Sequence, residues 1–330
     1  MTISVLLAVA GLLLLTVAAD HLVLGSSRVA ARFRISPVVV GVVVIGLGTS
    51  APEFLVSGVA AARGDTGIAL GNITGSNILN LTLILGVAAI IANVTVASTV
   101  IRREVPVAVA AVVLFALLAR IGLTVATALV LLVAAVGALW LLVQGAGQGG
   151  NIELVEETVA YVEDRGDGTA EPVTPPPGRV RRWMWAWGEP IRALLGLGGV
   201  LAGAQLLVVN ASSIATALGV PPLIIGFTLV ALGTSLPELA TTVQAQRRGE
   251  SDLVVGNLFG SNLFNSLLGG AVVGFAAPGA VPAGSGILLL VMVLTGFVAW
   301  ALLGRGLVLT RGEGVVLLGA YLATMPLLLL

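Results

Sequence analysis

PVVVGVVVIGLGTSAPEFLVSG at 37–58, followed by LGNITGSNILNLTLILG at 70–86, returns without a gap as PPLIIGFTLVALGTSLPELATTV at 221–243, followed by VGNLFGSNLFNSLLGG at 255–270. The copies stand 185 residues apart, so Glu53 matches Glu238, Asn80 matches Asn265 and Ser76 matches Ser261. Each copy sets a glutamate, several hydroxyls and an amide inside apolar runs, and about 20 apolar residues span a bilayer. The doubled pattern predicts a membrane protein made of two related halves. At the same offset AADHLVLGSSRVA at 18–30 aligns with GAQLLVVNASSIA at 203–215. The first apolar stretch is therefore read as a retained helix, although Val17-Ala18-Ala19 has the small residues of a signal-peptide cleavage site.

Composition agrees. Of 330 residues 58% are hydrophobic and only 10% charged, and the mean hydropathy is +1.10, far from the values of soluble domains. The charges fall between apolar runs and form no patch that could hold nucleic acid; the surrounding partner is the lipid bilayer. Cysteine is absent and His21 is the single histidine, so thiolate and histidine metal sites are excluded and any metal must be held by oxygen. There is no phosphate-binding glycine loop and no nucleophile with a histidine partner, which argues against an enzyme and leaves no cofactor to expect.

Charged and Pro/Gly-rich gaps divide the chain into ten candidate helices, at 2–24, 37–62, 66–91, 104–119, 122–144, 190–212, 221–246, 252–275, 283–304 and 313–330. An odd number per copy turns the second half over, so the expected fold is an all-α polytopic membrane protein with ten transmembrane helices in two inverted-topology five-helix repeats. The first repeat is 1–144, a linker occupies 145–189, and the second repeat is 190–330. With both termini outside, fourteen arginines fall on the inner side and only Arg63 and Arg120 on the outer. This bias places the chain in a cytoplasmic membrane with the linker inside. The linker's acidic part, Glu153 to Glu171, has no EF-hand pattern and reads as solvated charge, and Pro175-Pro176-Pro177-Gly178 ends regular structure. RVRRWMWAW at 179–187 suits a cytoplasmic membrane interface.

Among sixteen acidic residues, Glu53 and Glu238 lie well inside apolar runs, and no basic residue is there to pair with them. Inserting a carboxylate at mid-helix costs about 2.5–3.5 kcal/mol, which marks both as functional candidates. Asp20 and His21 are borderline and read as interfacial, near Arg28. Helical spacing places Thr49 and Ser50 beside Glu53 and Ser76 beside Asn80, and the second copy repeats this with Thr234, Ser235, Glu238, Ser261 and Asn265. Pro52 and Pro237, with nearby glycines, are expected to break the helices and free carbonyls such as those of Gly46 and Ala231. The result is a hard-oxygen cage suited to Ca²⁺ or Na⁺, with Mg²⁺ disfavoured because it dehydrates reluctantly. Two bland readings stand beside it. The glycines of Gly71-Asn72-Ile73-Thr74-Gly75 and Gly256-Asn257-Leu258-Phe259-Gly260 also fit close helix contact, and each hydroxyl also fits a bond back to its own helix.

At GLGTSAPE…GNITGSNILN and ALGTSLPE…GNLFGSNLFN the chain resembles the alpha-repeats of the cation/calcium exchanger superfamily, most closely its prokaryotic sodium/calcium exchangers. The resemblance implies a secondary antiporter exchanging Ca²⁺ for Na⁺ by alternating access. It also implies Glu53 and Glu238 as main ligands, completed by Asn80, Ser76, Ser261, Thr49, Thr234, Ser50 and Ser235, with the first and sixth helices as a sliding gate. Several such exchangers carry aspartate where this chain has Asn265. An amide can still offer an oxygen to Ca²⁺, but the sodium stoichiometry is open, H⁺/Ca²⁺ exchange is the alternative, and K⁺ stays open as a further ion. A cation channel is the rival of a different class; an inverted repeat with one midplane site favours alternating access over a continuous pore.

Overall fold

The computed structural model describes residues 2–33, 37–146, 179–219, 231–279, 281 and 285–328. Its helices are Thr2–Phe33, a broken segment from Pro37 to Ala62, Thr66–Ile91, Ser98–Ile121, Val125–Ala146, Arg179–Ala217, Leu236–Arg247 preceded by Ala231–Thr234, Ser251–Ala276, Ser285–Gly306 and Arg311–Leu328. Among the described residues seven helices are long and apolar enough to cross a membrane, and eight if the halves Gly41–Thr49 and Ala51–Ala62, bent by 42°, form one span. The protein is all-α in class and a multi-pass membrane protein.

Several ends differ from the sequence reading. The first helix runs to Phe33, past the expected end at 24, because Ser26, Ser27 and Ala30 are buried rather than left at a membrane surface. The helix expected from 190 begins at Arg179, so the tail of the expected linker is helical and Pro190 lies inside a helix. Proline removes one ladder bond, which an otherwise continuous long helix tolerates at a cost. The acidic part of the linker and residues 220–230 lie outside the described residues.

Two helices 185 residues apart in the repeat, Thr2–Phe33 and Arg179–Ala217, pack along much of their length. The contact is built on small residues. A Cβ at Gly203 would lie 2.6 Å from the Leu15 main-chain nitrogen, one at Gly196 the same distance from that of Leu22, and one at Gly11 2.7 Å from that of Leu207. Gly25 meets Ala193 in the same way. Rising numbers on one helix meet falling numbers on the other, so the pair is antiparallel. With no hydrophobic driving force between helices in lipid, such backbone-to-backbone approach is what holds them.

Arg28, expected near Asp20, instead pairs with Glu189 at 3.0 Å across this helix pair. Asp20 takes Arg248 at 2.6 Å, and His21 Nδ1 accepts from Arg192 Nε at 3.2 Å. Ser27 donates to Glu250 at 2.6 Å, a second tie to the turn between Leu236–Arg247 and Ser251–Ala276.

Two strand contacts link interhelical turns. Val94–Thr95 pairs antiparallel with Val308–Leu309, and Leu123 bridges Gly279. Adding 185 to 94 gives 279, and adding it to 123 gives 308, so each contact is the image of the other under the repeat. Thr66–Ile91 and Ser251–Ala276 form the centre: 78% and 83% of an 18-residue apolar stretch in each are buried, against at most 50% for such stretches in the other spans.

Overpacking of the antiparallel seam should be destabilising by about 1–3 kcal/mol. We therefore expect Gly203→Val to lower the thermal midpoint of the detergent-purified protein by several degrees, and Gly198→Ala, at an exposed position of the same helix, to leave it within a degree. Equal midpoints for the two variants would refute the seam.

Candidate cation site

The local sequence explains why the glutamates sit where they do. Ser50-Ala51-Pro52-Glu53 and Ser235-Leu236-Pro237-Glu238 both have the S-x-x-E spacing of a capping box. In each copy the helix breaks at the serine, and a new helix starts at Ala51 or Leu236 with proline in its first turn. The prolines thus do not kink a continuous helix but open a second one, where a missing N–H costs nothing. Each glutamate consequently occupies the first turn, where the helix dipole favours negative charge.

The box is not closed locally. Ser50 and Ser235 make no capping bond within their own helices. Instead Ser50 Oγ donates to Glu238 Oε1 at 3.2 Å, and Ser235 Oγ donates to Glu53 Oε1 at 3.2 Å. This corrects the reading that placed Ser50 beside Glu53: a break at residue 50 turns the hydroxyl across the repeat boundary. Ser235 Oγ also lies 3.5 Å from Ser76 Oγ, and Ser261 Oγ reaches Glu238 Oε1 at 3.4 Å. The structure therefore joins Glu53, Ser235 and Ser76 on one side and Glu238, Ser50 and Ser261 on the other.

The remaining expected ligands divide. Gly46 closes a π-helical turn, Gly41–Gly46, and its carbonyl accepts from both Ser50 N–H at 3.3 Å and Ser261 Oγ at 3.2 Å. A Cβ at Gly46 would lie 3.0 Å from Asn257 O, and one at Gly260 2.7 Å from Val42 Cα. Gly260 is thus a close-contact glycine, as the bland reading has it, and that closeness lets Ser261 reach the Gly46 carbonyl. Thr49 Oγ1 bonds back to Ile45 O at 2.9 Å and also lies 3.4 Å from Asn257 Oδ1 of the other repeat, both of them acceptors. Thr234 is buried at the image position, and Ala231 is the first described residue of its helix. Asn80 and Asn265 are both buried and each begins a π-helical turn.

Four oxygens of this group, Glu53 Oε2, Glu238 Oε2, Asn80 Oδ1 and Asn265 Oδ1, are buried without a hydrogen-bond partner among the described residues. Buried polar atoms are ordinarily satisfied, so a cluster of lone acceptors fits a cation. The same residues contain no cluster of three or more His, Asp or Glu side chains. The site offers two carboxylates and neutral oxygens, a donor set that suits a hard cation.

Sequence reasoning missed the braces behind the glutamates. Asn72 Nδ2 donates to the Glu53 carbonyl at 3.2 Å and to Ser57 Oγ at 2.9 Å. Its image, Asn257 Nδ2, donates to the Glu238 carbonyl at 3.4 Å and to Thr241 and Thr242 hydroxyls at 3.0 Å. The legible signal was an asparagine recurring at the same distance after each glutamate.

Paired carboxylates at two broken helices inside a membrane bundle are an arrangement that suits a membrane cation carrier. Comparison with known proteins names the group: residues 3–144 and 190–330 match the family described as sodium/calcium exchanger protein, and the chain belongs to that family. The family is one of transporters rather than enzymes, and membership makes the chain a cation/Ca²⁺ antiporter in class. It is 32% identical over 341 residues to inner membrane protein YrbG of Escherichia coli (strain K12), covering 99% of this chain and 97% of that one. It is 28% identical over 345 residues to sodium/calcium exchanger MaX1 of Methanosarcina acetivorans, covering 99% of both. Its structure is similar to that of the sodium-calcium exchanger NCX_Mj soaked with 10 mM Na⁺ and zero Ca²⁺, with a TM-score of 0.83, 30% identity and 99% coverage of both chains.

If the crossed serines orient the carboxylates, Ser50→Ala and Ser235→Ala should weaken Ca²⁺ binding to similar degrees. A hydrogen bond to a charged group contributes about 1.5 kcal/mol or more, roughly tenfold in affinity. Titration calorimetry on the purified variants checks this, and an effect confined to one serine would contradict the crossed arrangement.

Proposed function

We propose that the chain exchanges Ca²⁺ for Na⁺ across a cytoplasmic membrane by alternating access. The four unpartnered buried oxygens carry this reading. Glu53 and Glu238 are the main ligands; Asn80, Asn265, Ser76, Ser261, Thr49, Thr234, Ser50, Ser235 and the carbonyls of Gly46 and Ala231 complete the sites.

The physical logic is charge compensation. Two ionised carboxylates in a low-dielectric layer carry a desolvation cost of several kcal/mol each, and an apolar gate closing over them alone is unfavourable. One Ca²⁺, or the counter-ions, removes that cost. Only the occupied carrier changes face, so transport is exchange and not leak.

The supporting architecture is two inverted five-helix repeats of ten transmembrane helices, 1–144 and 190–330, joined by a cytoplasmic linker. The antiparallel image helices and the paired strand contacts favour it. The glycine seam makes Thr2–Phe33 and Arg179–Ala217 a unit able to slide across the rest. The arginine bias favours both termini outside.

A second reading, H⁺/Ca²⁺ exchange, is favoured by Asn265. An amide there leaves two carboxylates, so two protons balance one Ca²⁺.

The test is ⁴⁵Ca²⁺ uptake into proteoliposomes loaded with Na⁺, compared with Na⁺-free vesicles under an imposed pH gradient and with K⁺ present or absent. Uptake driven only by internal Na⁺ is expected, and uptake driven by the pH gradient alone would transfer the assignment to proton exchange. Glu53→Gln and Glu238→Gln are each expected to reduce Na⁺-driven uptake to background; normal exchange in either would sink the ligand assignment. For Asn265→Asp, the Hill slope for Na⁺ should change more than the Ca²⁺ affinity, and an unchanged slope would count against Asn265 as a ligand.

A further inference from the structure

Asn77 and Asn262, the asparagines of the two G-S-N triplets, are both buried and neither is among the expected ligands. They belong to a chain of amides. Asn262 Nδ2 donates to the main-chain carbonyl of Asn77 at 2.9 Å, and Asn80 Nδ2 donates to Asn262 Oδ1 at 3.0 Å. Amide orientation is ordinarily ambiguous, because the oxygen and nitrogen of an asparagine side chain look alike. Here the chemistry removes the ambiguity. A main-chain carbonyl can only accept, so the Asn262 atom facing it is the nitrogen and the opposite atom is the oxygen. That oxygen can only accept, so the Asn80 atom facing it is again the nitrogen. The remaining atom, Asn80 Oδ1, is the buried acceptor left without a partner. Asn80 lies one helical turn beyond Ser76, on the same face of its helix.

The second copy does not repeat the relay. The image of the Asn80 bond would run from Asn265 to Asn77 Oδ1. Asn77 Oδ1 and both amide atoms of Asn265 instead have no partner among the described residues. The cause is legible in the sequence. Asn77 Nδ2 donates to Ser266 Oγ at 2.8 Å and to Met292 Sδ at 3.3 Å. The positions 185 residues before Ser266 and Met292 hold Leu81 and Val107, so Asn262 has no such side-chain acceptors and takes the Asn77 carbonyl.

We propose that Asn262, fixed by the Asn77 carbonyl, is a positioning residue that locks the Asn80 amide with its oxygen toward the cation, while Asn265 is free to turn. The site thus requires an amide in the first copy and tolerates a carboxylate in the second. A carboxylate at position 80 would set oxygen against Asn262 Oδ1, which cannot turn away without setting its own oxygen against the Asn77 carbonyl. This inference rests on the proposal that the site binds Ca²⁺.

The experiment measures Ca²⁺ dissociation constants by calorimetry, and thermal midpoints with and without Ca²⁺, for the full-length purified wild type and Asn262→Ala, Asn80→Asp and Asn265→Asp. Asn262→Ala is expected to bind Ca²⁺ at least tenfold more weakly and to lose most of the Ca²⁺-induced rise in midpoint. A purely structural role would lower the midpoint without Ca²⁺ and leave that rise intact. Asn80→Asp, despite its added negative charge, is expected to bind Ca²⁺ at least tenfold more weakly than Asn265→Asp. If Asn262→Ala fails to fold, the two aspartate variants decide alone. Wild-type affinity in Asn262→Ala, or Asn80→Asp binding as tightly as Asn265→Asp, overturns the relay and leaves the proposed function standing. A wild type that binds no Ca²⁺ overturns both.

Discussion

Two buried carboxylates, each held by a serine of the other repeat, are the constraint on which this structure depends. Glu53 and Glu238 are 1% and 0% exposed, and among the described residues no arginine is paired with either. Removing one charge from water costs several kcal/mol even after relaxation, so such a pair persists only where something repays that cost. Part of the compensation is built in: each carboxylate occupies the first turn of a helix and accepts a hydroxyl from the other repeat. In the proposed function the rest falls to a cation, which would tie ion occupancy to the energetics of closure.

The repeat supplies geometry that one copy could not. A serine donating within its own capping box would stabilise one helix start and nothing more. Crossed serines make each carboxylate's orientation depend on the relative position of both halves. The glycine seam between Thr2–Phe33 and Arg179–Ala217 lies outside this crossing, so those helices are bound to each other more extensively than to the elements that carry the glutamates. That difference fits the sliding gate of the proposed function.

Much of this was legible in the sequence. The offset of 185 residues picked out both glutamates and their hydroxyl neighbours, because a repeat preserves local residue order. Which partner each hydroxyl serves was not legible. Helical spacing placed Ser50 beside Glu53, but the break at Ser50 overrides that periodicity and sends the hydroxyl to Glu238. The braces Asn72 and Asn257 were hidden because asparagine in an apolar helix has no single meaning until its partner is known. Helix ends failed for a related reason. The first span was expected to end at 24, yet Ser26 and Ser27 beyond it are buried by packing that local hydropathy cannot register.

The central claim is that the two glutamates jointly hold one divalent cation, and the most direct measurement is anomalous diffraction from crystals of this protein soaked in Sr²⁺, a heavier analogue of Ca²⁺. The account predicts one strong peak between Glu53 and Glu238, at roughly Ca²⁺-like oxygen distances of about 2.3–2.6 Å or slightly longer from both carboxylates. A peak bound to only one glutamate, or none between them with Sr²⁺ bound elsewhere, would contradict it.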